Sequence, residues 1–469
     1  MVTRTRFAPS PTGEIHVGNA RTALFSALLA ARDGGAFVLR IEDTDAARSQ
    51  RAHEDALRAD LVWLGLRWQE GPDVGGPKGP YRQSERTALY DEHMERLAAQ
   101  GRVYPCFCTA TELEVSRKTQ LAAGRPPRYA GTCAKFGTAE IEARIARGLK
   151  PALRFRVPEQ GETVFIDLVR GRQAFAHHDI GDFIIRRADG SPAFFFSNAL
   201  DDALMDVTHV LRGEDHLANT PRQILLLEAL GLKAPQYAHL SLIVGQGGAP
   251  LSKREGGGSL RELRAEGVLP EALLNYLARL GHTYPDNAFT DLAALAQGFD
   301  VSHLGHSPAH FDHTQLDHWQ GEAIRRAKDD RLWDWMVGSR QEMGSLVPAH
   351  ARKVFVEAVR GNITRPAQAV EWATVVYGDP VAIDEAQDAL RHAAPGFFQS
   401  VLDVLRQPQP EFKPFAKAVS AATGQSGKGL YQPLRAALTG RLDGPEMERL
   451  WKLMDPKLVE ARFNRALNT

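Results

Sequence analysis

The first 41 residues constrain the fold more than any other stretch of the chain. A strand-like run, Val2 to Ala8, is broken by Pro9 and Pro11 and turned by Thr12-Gly13. From Asn19 to Ala31 the apolar residues Ala23, Leu24, Ala27 and Leu28 recur at helical spacing. Asp33-Gly34-Gly35 ends that helix, and Ala36 to Ile41 reads as a buried strand. Strand, helix and strand within about 40 residues make a βαβ unit, which requires a parallel sheet. The short turns at the carboxyl ends of such strands are where α/β sheets bind ligands.

The remaining pattern predicts further parts. With 469 residues, and roughly 150 per domain, about three domains are expected. Glu70 to Pro80 is dense in Gly and Pro and marks a boundary near residue 80. Residues 81–190 read as an insertion that holds all three cysteines, with antiparallel strands expected over Pro151 to Val169. The α/β pattern resumes over 191–245, with a strand at Val207 to Leu211 and a helix at Thr220 to Leu230. A Gly-rich loop follows, Gly245 to Gly258. Beyond about residue 325 amphipathic helices dominate, as in Arg352 to Val359 and Pro395 to Leu405.

Composition removes several classes. Lys+Arg and Asp+Glu both number 57, so the chain is not a globally basic binder of nucleic acid; a local basic face is still allowed. Three cysteines in so long a chain cannot build a secreted disulfide framework. The N-terminus lacks the apolar stretch of a signal peptide, and no apolar run approaches the ~20 residues of a membrane span. A reducing compartment, the cytoplasm, is expected, with no membrane partner.

Three motifs carry chemistry. The first is Arg6-Phe7-Ala8-Pro9-Ser10-Pro11-Thr12-Gly13-Glu14-Ile15-His16-Val17-Gly18-Asn19. His16 stands at the mouth of the helix and can donate to phosphate oxygens, which helix N-terminal amides also favour. Gly18 lets a flat group approach the backbone. The plain alternative is a βα turn with a capping histidine. The second is Leu251-Ser252-Lys253-Arg254-Glu255-Gly256, where Lys253 in a Gly-rich loop can reach a triphosphate as a point charge; alone it is an ordinary basic loop. The third is Cys106-Phe107-Cys108 with Cys133. Two thiolates one residue apart and a third nearby can share a tetrahedral zinc. Free structural thiols are the alternative.

Taken together, these motifs make the chain resemble the class I aminoacyl-tRNA synthetases, and most closely the bacterial glutamyl-tRNA synthetases. His16-Val17-Gly18-Asn19 is similar to their first nucleotide signature and Leu251-Ser252-Lys253-Arg254 to their second. Further blocks follow in the family's order: Leu39 to Asp45, Gly79 to Arg86, Val207 to His216 and Pro433 to Gly440. Asn19 stands where many class I enzymes have histidine, and Pro250 where a first lysine is common. The resemblance implies an α/β fold: a Rossmann-type parallel-sheet catalytic domain split as 1–80 and 191–245, an inserted α+β acceptor-stem-binding domain at 81–190, a signature-loop and stem-contact domain at 246–325, and an all-α anticodon-binding domain at 326–469.

It also implies the reaction. Glutamate's α-carboxylate attacks the α-phosphorus of ATP, with Mg²⁺ accompanying the ATP, and the acyl group then passes to the 2′-hydroxyl of the terminal adenosine of tRNA(Glu). The tRNA must be bound before the first step. The resemblance makes His16 and Lys253 the catalytic residues, with Gly18 and Asn19 also at the ATP. It places glutamate on Arg6, Ser10, Glu42, Asn198 and Arg212. Two arginines suit two carboxylates. A structural zinc would be held by Cys106, Cys108 and Cys133. Lys135 replaces a histidine sometimes found there; Tyr129, four residues before Cys133, resembles the fourth ligand of a close paralogue. Arg435 is a candidate for reading the anticodon. A monomer with no DNA partner is implied.

One departure bears on selectivity. Phe194 stands where the family often has tyrosine, which removes a hydrogen bond worth about 0.5–1.5 kcal/mol. The plain reading of Phe194-Phe195-Phe196 is strand core. A relaxed enzyme that also, or mainly, glutamylates tRNA(Gln), and a catalytically silent RNA-binding relative, are the competing readings.

Overall fold

The computed structural model describes residues 2–45, 48–245, 247–249, 251, 258–338, 342–407 and 411–468. They form two compact units, Met1–Glu262 with Leu273–His313, and Leu263–Ala272 with Thr314–Thr469.

The first unit holds the sheets. β1 (Arg4–Phe7) and β2 (Ala36–Leu39) flank the helix Val17–Arg32. β3 (Val103–Cys106), β4 (Ala152–Phe155), the hairpin β5 (Glu162–Asp167) with β6 (Gly171–Ala176), and β7 (Phe183–Arg186) come next. β8 (His209–Gly213) and β9 (Gln236–Leu240) follow. The main sheet runs β2-β1-β8-β9-β5-β6 and is parallel up to the antiparallel hairpin β5-β6 at one edge. A separate antiparallel sheet is ordered β3-β4-β7. The expected βαβ unit is therefore present, and its strands are parallel. Of the residues at helical spacing the helix buries Ala23, Leu24 and Leu28, while Ala27 is half-buried; Ala20 and Phe25 are buried beside them. Thr5 Oγ1 donates to Ser26 O at 2.7 Å and fixes β1 to that helix.

Two elements differ from the sequence reading. The strand expected at Val207 begins at His209, because Asp206 takes a left-handed turn (φ 53°) and Val207 N still bonds Asp202 O at 2.9 Å. Phe194-Phe195-Phe196 is not strand core; it opens the helix Phe194–Leu204. Phe196 is buried against Tyr90, with ring centroids 6.2 Å apart, while Phe194 is only half-buried.

A buried ionic network joins these pieces. Arg40, just past β2, is fully enclosed. It contacts Asp202 at 2.7 Å, Glu42 at 3.2 Å and Asp201 at 3.9 Å. Asp202 also pairs with Arg6 at 3.1 Å. Asp201 accepts from Arg86 at 2.7 Å, Gln83 at 2.8 Å and the Tyr90 hydroxyl at 2.7 Å. Three buried arginines (Arg6, Arg40, Arg86) thus meet three buried carboxylates (Glu42, Asp201, Asp202). Burial alone would lower the Arg40 pKa, but the three carboxylates hold it above the arginine range.

In the second unit the described residues after His310 contain no strand, as the helical pattern predicts. Its core stacks Phe415 on Trp451 at 4.7 Å and packs Phe463 at 5.9 Å from Phe415. Arg435 donates to the carbonyl oxygens of Asp443 at 3.2 Å and Pro445 at 3.0 Å, so it braces a turn. Gly444 has φ 118°, and a Cβ there would collide with the Trp372 ring.

Two stability outcomes follow from these contacts. Arg40→Met strands buried carboxylates and is expected to lower unfolding free energy by about 3–5 kcal/mol in a urea titration. Gly444→Ala forces both the left-handed backbone and the Trp372 contact, and is expected to cost about 1–3 kcal/mol.

Candidate active site

In the main sheet β1 and β8 are neighbours, and the strand order runs away from them both ways, to β2 and to β9. Such a switch point leaves a crevice beyond the carboxyl ends of the strands. A cavity of about 320 Å³ lies there. Arg6 to Pro9 leave β1 along its wall; Gly18, Asn19 and Arg21 come from the first helix; Leu211 to Gly213 end β8. Glu42, Asn198 and Phe194 complete the side nearest the ionic network.

Most of the sequence candidates meet in this one cavity. Arg6, Glu42, Asn198 and Arg212 line it, and so do Gly18 and Asn19. Ser10 is exposed on the turn and is not part of the lining. His16 is the N-cap residue of the helix, but its side chain makes no capping hydrogen bond. Its imidazole has no hydrogen-bond partner among the described residues, so the capping alternative is not what this histidine does. Its backbone bridges to Ser259, and Leu260 N bonds Ile15 O at 2.9 Å. The chain after the Gly-rich loop is thereby tied to the first signature. Lys253, with Pro250, Ser252 and Arg254 to Gly257, lies outside the described residues. At Gly18 an added Cβ would meet nothing within 4 Å, so the space in front of that backbone is open to a ligand.

The cavity wall has opposite electrostatic needs at two places. Asn198 Nδ2 donates to Glu42 Oε1 at 2.5 Å, and Gln223 Nε2 fixes Asn198 by donating to its Oδ1 at 2.8 Å. Burial nevertheless raises Glu42 above the usual carboxylate range, despite Arg40 and Asn198. Glu42 is thus a carboxylate on the cavity wall whose burial Arg40 and Asn198 only partly offset. Arg212 is 5% exposed and forms no ion pair among the described residues. Its Nε donates to His239 Nε2 at 3.1 Å and its Nη2 to Thr220 Oγ1 at 2.7 Å. Its Nη1 is buried without a partner. Burial pushes this guanidinium down to about 10, so it is still a cation at neutral pH and lacks an anion. Arg21 donates to the carbonyl oxygens of Leu280, at 3.1 Å, and Ser241; burial pushes it, too, down to about 10.

Arg40, Asp201, Asp202, Asp167 and His239 are residues that sequence reasoning did not place at the site. An Asp-Asp pair is visible in the sequence, but its depth is not. Asp167 and His239 stand 72 positions apart and are joined only by strand register.

The cysteines form a second centre. The sulfurs of Cys106, Cys108 and Cys133 lie within 4.8 Å of one another. A tetrahedral zinc with its usual bond lengths needs sulfurs roughly 3.8 Å apart, and an oxygen roughly 3.5 Å from each sulfur. Cys108 and Cys133 are 3.6 Å apart. The Tyr129 hydroxyl lies 3.4 Å from Cys108 and 3.6 Å from Cys106. Arg154 Nε donates to Cys106 at 3.1 Å, a contact that suits a thiolate. This donor set fits zinc, with Tyr129 where a fourth ligand would stand.

Comparisons with known proteins match this architecture. Residues 2–318 match the family described as tRNA synthetases class I (E and Q), catalytic domain. Residues 331–467 match the anticodon binding domain. A protein of Nitrosococcus oceani named glutamate–tRNA ligase 2 is 54% identical over 99% of this chain and 98% of its own. One of the same name from Alkalilimnicola ehrlichii is 53% identical over 99% and 97%. A crystal structure of glutamate–tRNA synthetase from Elizabethkingia anophelis superposes with a TM-score of 0.88 at 28% identity, over 100% of both chains. A family match across two thirds of the length, joined to full-length relatives at this identity, leaves one conclusion: the chain belongs to the class I tRNA synthetases of the E and Q kind, and is an aminoacyl-tRNA synthetase.

Proposed function

We propose that the chain is a glutamate–tRNA ligase, which activates glutamate with ATP and transfers it to the 3′-terminal adenosine of tRNA(Glu). The carrying observation is a buried guanidinium short of an anion, Arg212, in the same cavity as Glu42, whose carboxyl burial raises despite Arg40. An amino acid with a second carboxylate answers both. Its ammonium goes to Glu42 and Asn198, and its carboxylates to Arg212 and Arg6. The full-length relatives named glutamate–tRNA ligase support the same reading, and they disfavour a silent RNA-binding relative.

In the first step the α-carboxylate attacks the α-phosphorus of ATP and pyrophosphate leaves. A carboxylate is already ionised at neutral pH, so the site needs positioning and charge stabilisation rather than a base. The open backbone at Gly18, the amides of the helix start and the free imidazole of His16 provide this at the phosphates; Lys253 is the further cation implied by its signature. Mg²⁺ bound with the ATP would neutralise phosphate charge. In the second step the 2′-hydroxyl of the terminal adenosine takes the acyl group and AMP leaves.

The acceptor end has a suitable path. A groove of about 780 Å³ is lined by Arg117, Arg128, Arg187 and Arg222 with Tyr129 and Phe195, and Phe194 borders both this groove and the amino-acid cavity. Arginines beside aromatic faces suit an unpaired RNA strand. The helical second unit would take the anticodon. The three cysteines with Tyr129 would hold a structural zinc that folds the segment under this groove.

The deciding assay is charging with labelled glutamate on tRNA(Glu) and tRNA(Gln) separately. Label on tRNA(Glu) is expected. Label on tRNA(Gln) as well would widen the tRNA range, whereas label on neither, with ATP and Mg²⁺ present, would sink the reading. Arg212→Ala is expected to lower kcat/KM for glutamate about a hundredfold, because it removes a buried charge-assisted contact. Metal analysis of the purified protein is expected to give about one zinc per chain, falling well below that in Cys133→Ser.

A further inference from the structure

Arg212 is held by a row of side chains on three adjacent parallel strands. Arg212 on β8 is in register with His239 on β9, and Asp167 ends β5 opposite Tyr237 of β9. All three residues are buried, His239 completely. Arg212 Nε faces His239 Nε2 at 3.1 Å. The other ring nitrogen, Nδ1, lies 2.5 Å from Asp167 Oδ2. Asp167 Oδ1 accepts from the backbone N–H groups of Val169 at 3.0 Å, Arg170 at 2.7 Å and His239 at 3.2 Å.

These contacts fix one proton. Arginine Nε can only donate, so His239 Nε2 must accept. The ring hydrogen therefore sits on Nδ1 and is donated to Asp167. A carboxylate at position 239 would also satisfy Arg212, but it would neutralise the guanidinium. A neutral imidazole accepts the hydrogen bond and leaves the positive charge, and the unpartnered Nη1, for a ligand in the cavity.

We propose that Asp167 and His239 are positioning residues that hold Arg212 with Nη1 toward the amino-acid cavity and so set the affinity for the substrate carboxylate. This rests on Arg212 being a carboxylate ligand, as read under the proposed function.

Asp167→Asn tests the tautomer directly. Three backbone N–H groups hold the Oδ1 place, so the amide oxygen takes it and the amide nitrogen falls beside His239 Nδ1. That nitrogen donates and drives the ring hydrogen to Nε2, where Thr220 Oγ1, 3.1 Å away, can accept it, so Arg212 Nε loses its acceptor. Charging assays on the full chain would measure KM for glutamate and for ATP in Asp167→Asn, His239→Leu, His239→Gln and Arg212→Ala. Asp167→Asn and His239→Leu are expected to raise KM for glutamate about tenfold or more and KM for ATP less than about twofold. His239→Gln, whose amide oxygen can take the Nε2 place, is expected to recover most of the loss. An unchanged KM for glutamate in Asp167→Asn and His239→Leu would overturn the proposal, and so would a parallel rise in both KM values. Should His239→Leu fail to fold by circular dichroism, Asp167→Asn decides alone. Arg212→Ala separates the two readings. If it leaves KM for glutamate unchanged, Arg212 is no ligand and both readings fail. If it raises KM while Asp167→Asn does not, only the positioning claim fails.

Discussion

The guanidinium of Arg40 has no access to water, and its three carboxylate neighbours come from two distant parts of the chain. A buried ion without a partner costs several kcal/mol, so a fold in which these segments failed to meet would be strongly destabilised. The end of β2 brings Arg40 and Glu42. The helix Phe194–Leu204 brings Asp201 and Asp202, and the short helical turn Gln83–Arg86 adds Gln83 and Arg86. Their assembly places the floor of the amino-acid cavity. Asp202 reaches up to Arg6 and Glu42 reaches up to Asn198. The polar core and the binding site are therefore one construction: what closes the fold also aims the ligands.

Neutrality within that network leaves Arg212 as the unbalanced charge on the cavity wall. With three arginines set against three carboxylates below, Arg212 is left as a buried cation whose own neighbours, His239 and Thr220, are uncharged. Parallel strand register accounts for this arrangement. β8, β9 and β5 end side by side, so residues far apart in sequence line up across the carboxyl edge of the sheet. The same edge receives the helix start at Gly18, where phosphate is favoured. Under the proposed function, amino acid and nucleotide would approach one switch point from two sides, as joining a carboxylate to a phosphorus requires.

The parts of this architecture that depend on local spacing were legible in the sequence. Pro9, Pro11 and Gly13 mark the turn, the period of Ala23, Leu24, Ala27 and Leu28 marks the helix, and the parallel pairing of β1 with β2 follows. The cysteine spacing pointed to the sulfur cluster, and resemblance named Arg6, Gly18, Asn19, Glu42, Asn198 and Arg212, which line the cavity, together with Ser10, which does not. What depended on distant packing was not legible. Phe194-Phe195-Phe196 has the composition of a strand, yet tertiary burial of Phe196 beside Tyr90 makes it a helix. The contacts by which Arg435 braces a turn, to the carbonyl oxygens of Asp443 and Pro445, could not be read from its block. Nothing local distinguishes His239 from any histidine in a strand, since its partners are supplied by register alone.

Magnitudes decide what the missing tyrosine hydroxyl at Phe194 means. A neutral hydrogen bond contributes about 0.5–1.5 kcal/mol, whereas one to a charged group contributes about 1.5–3 kcal/mol. Glutamate and glutamine differ by a charge, and the cavity meets that difference with a buried guanidinium that no side chain neutralises. On the proposed reading, glutamine brings one carboxylate to Arg6 and Arg212 where glutamate brings two, and so relieves less of the desolvation cost of Arg212. Under the proposed function, discrimination between the two amino acids would rest on charge and would tolerate the loss of one neutral donor. Freed from that role, Phe194 offers an apolar face on the wall shared by the amino-acid cavity and the arginine-lined groove. A flat, water-excluding surface there suits the point where the activated acyl group and the terminal adenosine must meet, because water at that place would compete with the ribose hydroxyl for the adenylate.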